Sequence, residues 1–129
     1  VITENQTLEC FGRIRQAFPP PAGLGPVTDV GAPRKNHNCV IDAGGYPKCW
    51  GMPEFYSGIQ TVGTVGALAM GYAHVCVITS DMRQLYCFGD NGFARSTELV
   101  APAVAISSGY FHTCFVTQLR KSFVSCLAR

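Results

Sequence analysis

The sequence predicts an all-β fold, a partial β-propeller of about three to three and a half four-stranded blades with a repeat of about 38 residues. Three observations carry that expectation. Two cysteine series share one period: Cys39, Cys76 and Cys114 are 37 and 38 residues apart, and Cys10, Cys49, Cys87 and Cys126 are 39, 38 and 39 apart. Within each period, two apolar runs flank a short turn, which is the composition of a β-hairpin. Finally, 14 Gly and 8 Pro interrupt every window of helical length.

Taken in order, the repeat units run over about 1–26 (partial), 27–64, 65–103 and 104–129 (partial), and the whole chain is one propeller segment. In the first unit, Val1-Ile2-Thr3 is the tail of a strand whose His and first Cys would lie just upstream of Val1. The strand returning from its turn carries Glu9-Cys10-Phe11-Gly12. The approach to the next unit is irregular: Gly12 to His37 is 25 positions, against 23 in the two later units, so about two residues are inserted there. The hairpin of that unit is Cys39-Val40-Ile41, the turn Asp42-Ala43-Gly44-Gly45, then Tyr46-Pro47-Lys48-Cys49-Trp50. Its glycines accept the positive φ that a tight turn needs.

His37-Asn38-Cys39-Val40-Ile41 is echoed by His74-Val75-Cys76-Val77-Ile78 and by His112-Thr113-Cys114-Phe115-Val116. The stretches before the last two histidines, Val65 to Met70 and Val104 to Ser107, are small and β-branched, as an innermost strand near an axis requires. Room for a fourth, outer strand lies between Gly51 and Val62 and between Gly89 and Val100.

Composition excludes several classes of function. Hydrophobic residues at 47% and charged residues at 14% exclude a disordered chain. A net charge of +2 is too small for a protein that holds a phosphate backbone, so no nucleic-acid partner is expected. No run approaches the roughly 18 apolar residues of a membrane span, so no membrane insertion by this segment is expected. Seven cysteines in 129 residues is a high count for a compartment that keeps thiols reduced.

Gly-x-x-His-x-Cys-x-Ile followed about ten residues later by Cys-Trp-Gly resembles the repeats of the regulator of chromosome condensation family. The likeness is to its short secreted form with a cysteine pair in each blade, similar to the ectodomains of the crinkly type of plant receptor kinases. It rests on Gly71, His74, Cys76, Cys87 and Gly89, on Gly109, His112 and Cys114, and on His37, Cys39, Cys49, Trp50 and Gly51. The resemblance implies a ring of seven blades, roughly 266 residues, of which this chain supplies a little over three units. Two features depart from the family pattern: the segment after Cys87-Phe88-Gly89 is reduced to Asp90-Asn91-Gly92-Phe93, and the last unit, Ser125-Cys126-Leu127-Ala128, has lost Trp-Gly. The nucleotide-exchange activity of the nuclear member is not carried over, because no residue match supports it.

Cys39 and Cys49, Cys76 and Cys87, and Cys114 and Cys126 are 10, 11 and 12 residues apart on the strands of single hairpins, and three disulfides are expected. Zinc is the sharper alternative, since His and Cys at i and i+2 share a side of a strand. It would need a fourth ligand, however, and none recurs with the period. Cys10 is left over: its partner by register precedes Val1, so either the chain belongs to a larger propeller or Cys10 bridges to another chain.

His37, His74 and His112 recur at one structural position. A catalytic group is needed once, whereas a structural bond is needed in every blade, so neither a catalytic residue nor a cofactor is expected. Asn5-Gln6-Thr7 is a glycosylation triplet at a predicted turn.

The hairpin turns, Glu4-Asn5-Gln6, Gly44-Gly45-Tyr46, Asp81-Met82-Arg83 and Leu119-Arg120-Lys121, differ sharply on a uniform frame, which is how a recognition surface is built. Tyr46, Arg83 and Arg120 are therefore the candidate contact residues of an extracellular, non-enzymatic binding or scaffold module. Its expected partner is a protein, or further copies or segments that complete the propeller. Two alternatives stand beside this reading. One is a structural subunit of an extracellular assembly or fibre, since an incomplete propeller exposes sheet edges. The other is a lectin-like module with a glycan ligand, drawn from Phe55, Tyr56 and Phe93.

Overall fold

The computed structural model describes residues 1–11, 19–31, 37–89, 96–97, 102–118 and 122–128. Three antiparallel sheets follow one another along the chain. The first contains β1 (Val27–Gly31), β2 (His37–Asp42) and β3 (Pro47–Gly51). The second contains β4 (Val65–Met70), β5 (His74–Thr79), β6 (Leu85–Gly89) and the short β7 (Ser96–Thr97). The third contains β8 (Ala103–Ser108), β9 (His112–Gln118) and β10 (Ser122–Ala128). Ahead of them an Ile2–Leu8 bridge marks a further hairpin end. The chain is thus a partial all-β propeller.

Among the described residues only the second blade has a fourth strand. In the first blade its place is taken by two 3-10 turns, Pro53–Phe55 and Ile59–Val62. Pro53 lacks the N–H a ladder needs, and Gly58 and Gly63 sit at φ 92 and 75, where extended structure is interrupted.

Disulfides join directly opposed residues of each hairpin: Cys39–Cys49, Cys76–Cys87 and Cys114–Cys126, with Cα atoms 4.1, 4.1 and 4.0 Å apart. Each closes a loop short enough to contribute about 2–3 kcal/mol by restricting the unfolded chain. Half-buried Cys10 lies outside these bridges.

No blade buries its apolar side chains by itself. Cys39 and Ile41 of the first blade share a core with Val65, Leu68, Val75 and Val77 of the second. Cys76, Ile78, Leu85 and Cys87 of the second pack against Ala103 and Phe115 of the third. Val27, Val40 and Trp50 are covered by Ile2 and Leu8 of the leading hairpin. The strand between two blades shows the consequence: all six residues of β5 are buried, because it is covered on both faces. In β9, Thr113, Phe115 and Thr117 are buried against the second blade, whereas His112, Cys114 and Val116 are exposed or half-buried.

A backbone device repeats at each seam. Gln6, Gly45 and Arg83 all have positive φ, at 60, 86 and 51, and each lies in the turn of a hairpin. Their carbonyls accept the N–H of Val27, Val65 and Ala103, at 2.8, 2.7 and 3.0 Å, and these are the first residues of β1, β4 and β8. Each inner strand has a register irregularity at that residue, which turns its N–H out of its own ladder and toward the preceding blade. For a non-glycine residue the left-handed conformation costs roughly 1 kcal/mol, so Gln6 and Arg83 hold it against their own preference.

The second seam also carries a side-chain bond. His74 Nε2 shares a hydrogen bond with Thr113 Oγ1 at 2.8 Å across the blades, and that hydroxyl lies 2.7 Å from Ser108 Oγ. The ring lies so close over Gly71 that a Cβ there would stand 1.9 Å from His74 Cε1. Burial pushes the His74 pKa down to about 4, and the neighbouring His37 and His112 add to the shift.

These contacts set two outcomes. Gly71→Ala is expected to destabilise the chain by about 2–3 kcal/mol, because the buried ring cannot retreat. Gly66→Ala, where a Cβ meets nothing within 4 Å, should stay within about 0.5 kcal/mol of the parent in urea unfolding. Equal effects from the two would refute the close-approach account. The second outcome concerns pH. Since the folded pKa of His74 is depressed, the unfolded chain binds the extra proton, so stability is full above about 6.5 and declines as pH falls toward about 4. Thermal melts across that window should show the decline, and His74→Gln should flatten it; an unchanged slope in the variant would assign the acid sensitivity elsewhere.

Candidate functional site

The hairpin turns gather at one end of the blades, and their backbones are fixed by bonds that leave the side chains free. In the first blade, Asp42 organises the turn: its Oδ1 accepts the N–H of Gly44 and of Tyr46, each at 2.9 Å, and its Oδ2 pairs with Lys48 Nζ at 3.2 Å. The Tyr46 N–H, followed by Lys48, holds the Asp42 carboxyl below the usual carboxylate range, so it is ionised and the turn is locked at neutral pH. Tyr46 is left projecting, 54% exposed.

In the second blade the turn from Thr79 to Gln84 is tied at five points. Thr79 N–H donates to Gln84 O, and Gln84 N–H to Thr79 Oγ1, both at 3.0 Å. Gln84 Nε2 donates to Met82 O, Ser80 N–H to Thr64 O, and Arg83 O accepts from Ala103. Asp81 Oδ1 accepts the Met82 N–H at 2.6 Å, and that bond, with the Thr79 hydroxyl, keeps the Asp81 carboxyl ionised. Asp81, Met82 and Arg83 all face solvent, with Met82 69% exposed. A rigid backbone thus presents an acid, a thioether and a guanidinium side by side. Two cavities flank this turn: one of about 320 Å³ reached by Arg83, and one of about 210 Å³ lined by Asp81 and Met82.

Tyr46 and Arg83 therefore lie on successive turns of one end of the blades. Asn5 is exposed in the leading turn. Arg120, and the small basic groups Arg13 with Arg15, Arg34-Lys35 and Arg120-Lys121, lie outside the described residues, as does Phe93. Two of the aromatic residues read as a sugar platform face the interior. Phe55 is 7% exposed with its ring centroid 4.9 Å from that of His37, and half-buried Tyr56 donates its hydroxyl to Gly51 O at 3.3 Å. Burial, with Glu54 second, raises the Tyr56 pKa, so the phenol stays protonated. His37 and His74 are fully buried. Among the described residues no cluster of three metal-ligating side chains occurs, and no helix is long and apolar enough to cross a membrane.

The opposite end of the blades holds a feature that sequence reading did not single out. The Tyr72 and Tyr110 rings stack at 4.3 Å and 21°, Phe111 meets Tyr110 edge-on at 4.3 Å, and Tyr72 N–H donates to Tyr110 O at 3.0 Å. The signal for it was the recurrence of Gly-Tyr at 71–72 and 109–110, which blade packing makes adjacent in space.

Comparison with known proteins agrees with this architecture. Residues 67–95 match the family model of the regulator of chromosome condensation (RCC1) repeat. No curated protein matches the chain. Among solved structures, the ectodomain of the Physcomitrella patens receptor kinase CR4 is similar at 23% identity and a TM-score of 0.67, over 81% of this chain and 30% of that one. The CRINKLY WD40 ectodomain of the Arabidopsis thaliana receptor kinase ACR4 is similar at 20% identity and a TM-score of 0.66, over 86% of this chain and 40% of that one. Yeast RCC1 (Prp20), solved bound to Kap60, is similar at 18% identity and a TM-score of 0.56, over 81% and 30%. The chain therefore spans less than half the length of each. Residues 67–95 thus match an RCC1 repeat, and the fold is a partial β-propeller similar to that of the RCC1-type propellers.

Proposed function

We propose that this chain is an extracellular, non-enzymatic protein-binding module that presents its hairpin turns to a partner. The observation that carries the proposal is the pair of turns at Tyr46 and at Asp81-Met82-Arg83, whose backbones are pinned while their side chains stand exposed. A pinned loop loses little entropy on binding, and exposed Tyr, Met and Arg are residue types enriched where proteins meet. Three disulfides favour an oxidising compartment, as do similar receptor ectodomains. The yeast relative was solved with a protein partner, Kap60, and has binding properties to Gsp1p and histones. A glycan on Asn5 would decorate the same end of the blades.

A second reading, a subunit that assembles with further copies, is favoured by a different observation. Leu85 is 1% exposed because the third blade covers it, whereas Val124, at the corresponding place in the third hairpin, is 71% exposed. Apolar surface that is buried in one repeat and open in the next is a place for association.

The two readings separate by measurement. A photo-crosslinking residue at Tyr46 should capture protein from the secreted fraction of the source organism, and excess unlabelled chain should compete while the Tyr46→Ala, Met82→Ala chain should not. Adducts that both chains compete away equally would remove the hairpin turns from the binding surface. For assembly, solution mass should rise with concentration and fall back to the monomer in Val124→Lys. A monomer at every concentration ends the assembly reading.

A further inference from the structure

A cavity lies between the second and third blades. Its lining combines the apolar Ala67, Ile78 and Ala103 with Thr79, Ser80 and Arg83. At about 320 Å³ it is at the small end of ligand pockets, a size for one amino-acid side chain rather than an extended cofactor. At the equivalent turn position the other two described seams have Gln6 and Gly45, whereas this one has a cation. Nothing in the seam itself requires arginine there, because the bond to Ala103 uses the Arg83 carbonyl. Glycine would adopt the same φ without strain. The guanidinium pairs with no acid among the described residues. An unfavourable backbone conformation held by a residue whose guanidinium has no acid partner among the described residues points to a task outside the chain.

We infer that the cavity bounded by Thr79, Ser80 and Arg83 is a binding pocket for a carboxylate side chain, Glu or Asp, carried by a polypeptide partner. The planar guanidinium matches a carboxylate in two-point hydrogen bonding, and the Ser80 hydroxyl can donate to the same group. The methylene part of the acid would lie against the apolar lining. On the other side of the turn, Asp81 lines the second cavity, so a partner acid is attracted to one flank and repelled from the other, which fixes its orientation. Exposed Met82 between the two flanks fits an apolar neighbour of that acid, and its flexible thioether adapts to the shape. This pocket rests on the protein-binding reading proposed above and adds to it what the partner must carry.

The test is amide chemical-shift mapping of the oxidised chain, titrated with N-acetyl-glutamate N-methylamide and, separately, with its glutamine counterpart. Saturable shifts are expected at Ser80, Arg83 and Val104 with the acid, and shifts about tenfold weaker with the amide. Arg83→Gly should raise the melting temperature, since glycine relieves the left-handed turn, while abolishing the response, so that loss of binding cannot be loss of folding. Arg83→Lys should retain part of it. Equal shifts from acid and amide, a response that survives Arg83→Gly, or shifts confined to other residues would each overturn the pocket. Partner capture at Tyr46 that is indifferent to Arg83→Gly rejects the pocket and leaves the binding face standing. Acid-dependent shifts without any captured protein do the reverse.

Discussion

A blade of about 38 residues cannot bury enough surface to be stable alone, so the seam between blades is the interaction on which this fold depends. Each of the three cores spans a seam: Ile41 with Val75 and Val77, Ile78 with Phe115, Val40 with Ile2 and Leu8. The hydrogen bonds follow the same rule. A left-handed turn residue in one unit offers its carbonyl to the first residue of the next inner strand, and a bulge in that strand makes the N–H available. Because the donor and acceptor are both backbone, the seam constrains conformation at Gln6, Gly45 and Arg83 and leaves their side chains almost unconstrained.

That separation is the physical origin of a recognition surface here. The frame is fixed by main-chain bonds, by the Asp42, Thr79, Asp81 and Gln84 side chains and by disulfides between opposed strand positions, while Tyr46, Met82 and Arg83 stand exposed. Three turns can therefore share a backbone geometry and present a glutamine, a glycine followed by tyrosine, and an arginine beside methionine and aspartate. The histidines illustrate the other half of the division. His74 is committed to Thr113 across the seam and covers Gly71, so a change there alters packing rather than recognition.

Much of this frame was legible in the sequence because the cysteines mark the period. Cys39 opposite Cys49 and Cys76 opposite Cys87 fix the hairpin register, and alternation from a buried His then assigns the sides of each strand. The seam bonds were not legible. A left-handed residue is read from glycine, and at Gln6 and Arg83 there is no glycine to read. The interior position of Phe55 was also hidden, since a Pro-Glu-Phe segment in a connection looks like loop until the 3-10 turn carries its ring to His37. The outer strand was expected in every unit, but Pro53, Gly58 and Gly63 bend the first unit out of extended structure. Arg120 and Phe93 lie outside the described residues, so the third turn contributes no structural evidence to the face.

Covalent and non-covalent cross-links are divided between two levels of this structure. Each of the three described disulfides lies inside one hairpin. Oxidation therefore stabilises the blades individually, while their association is left to apolar packing, backbone bonds and the buried histidine layer. Protonating His74 costs the bond to Thr113 that joins the second and third blades, while the disulfides within the hairpins are untouched. The cavity beside Arg83 is bounded by both blades, with Ile78 on one side and Ala103 on the other. A ligand held there bridges the seam and stabilises it by the free energy of its own binding. Recognition and blade cohesion are thus coupled at this one place in the chain, and a partner that occupies the pocket would strengthen the joint that holds the pocket together.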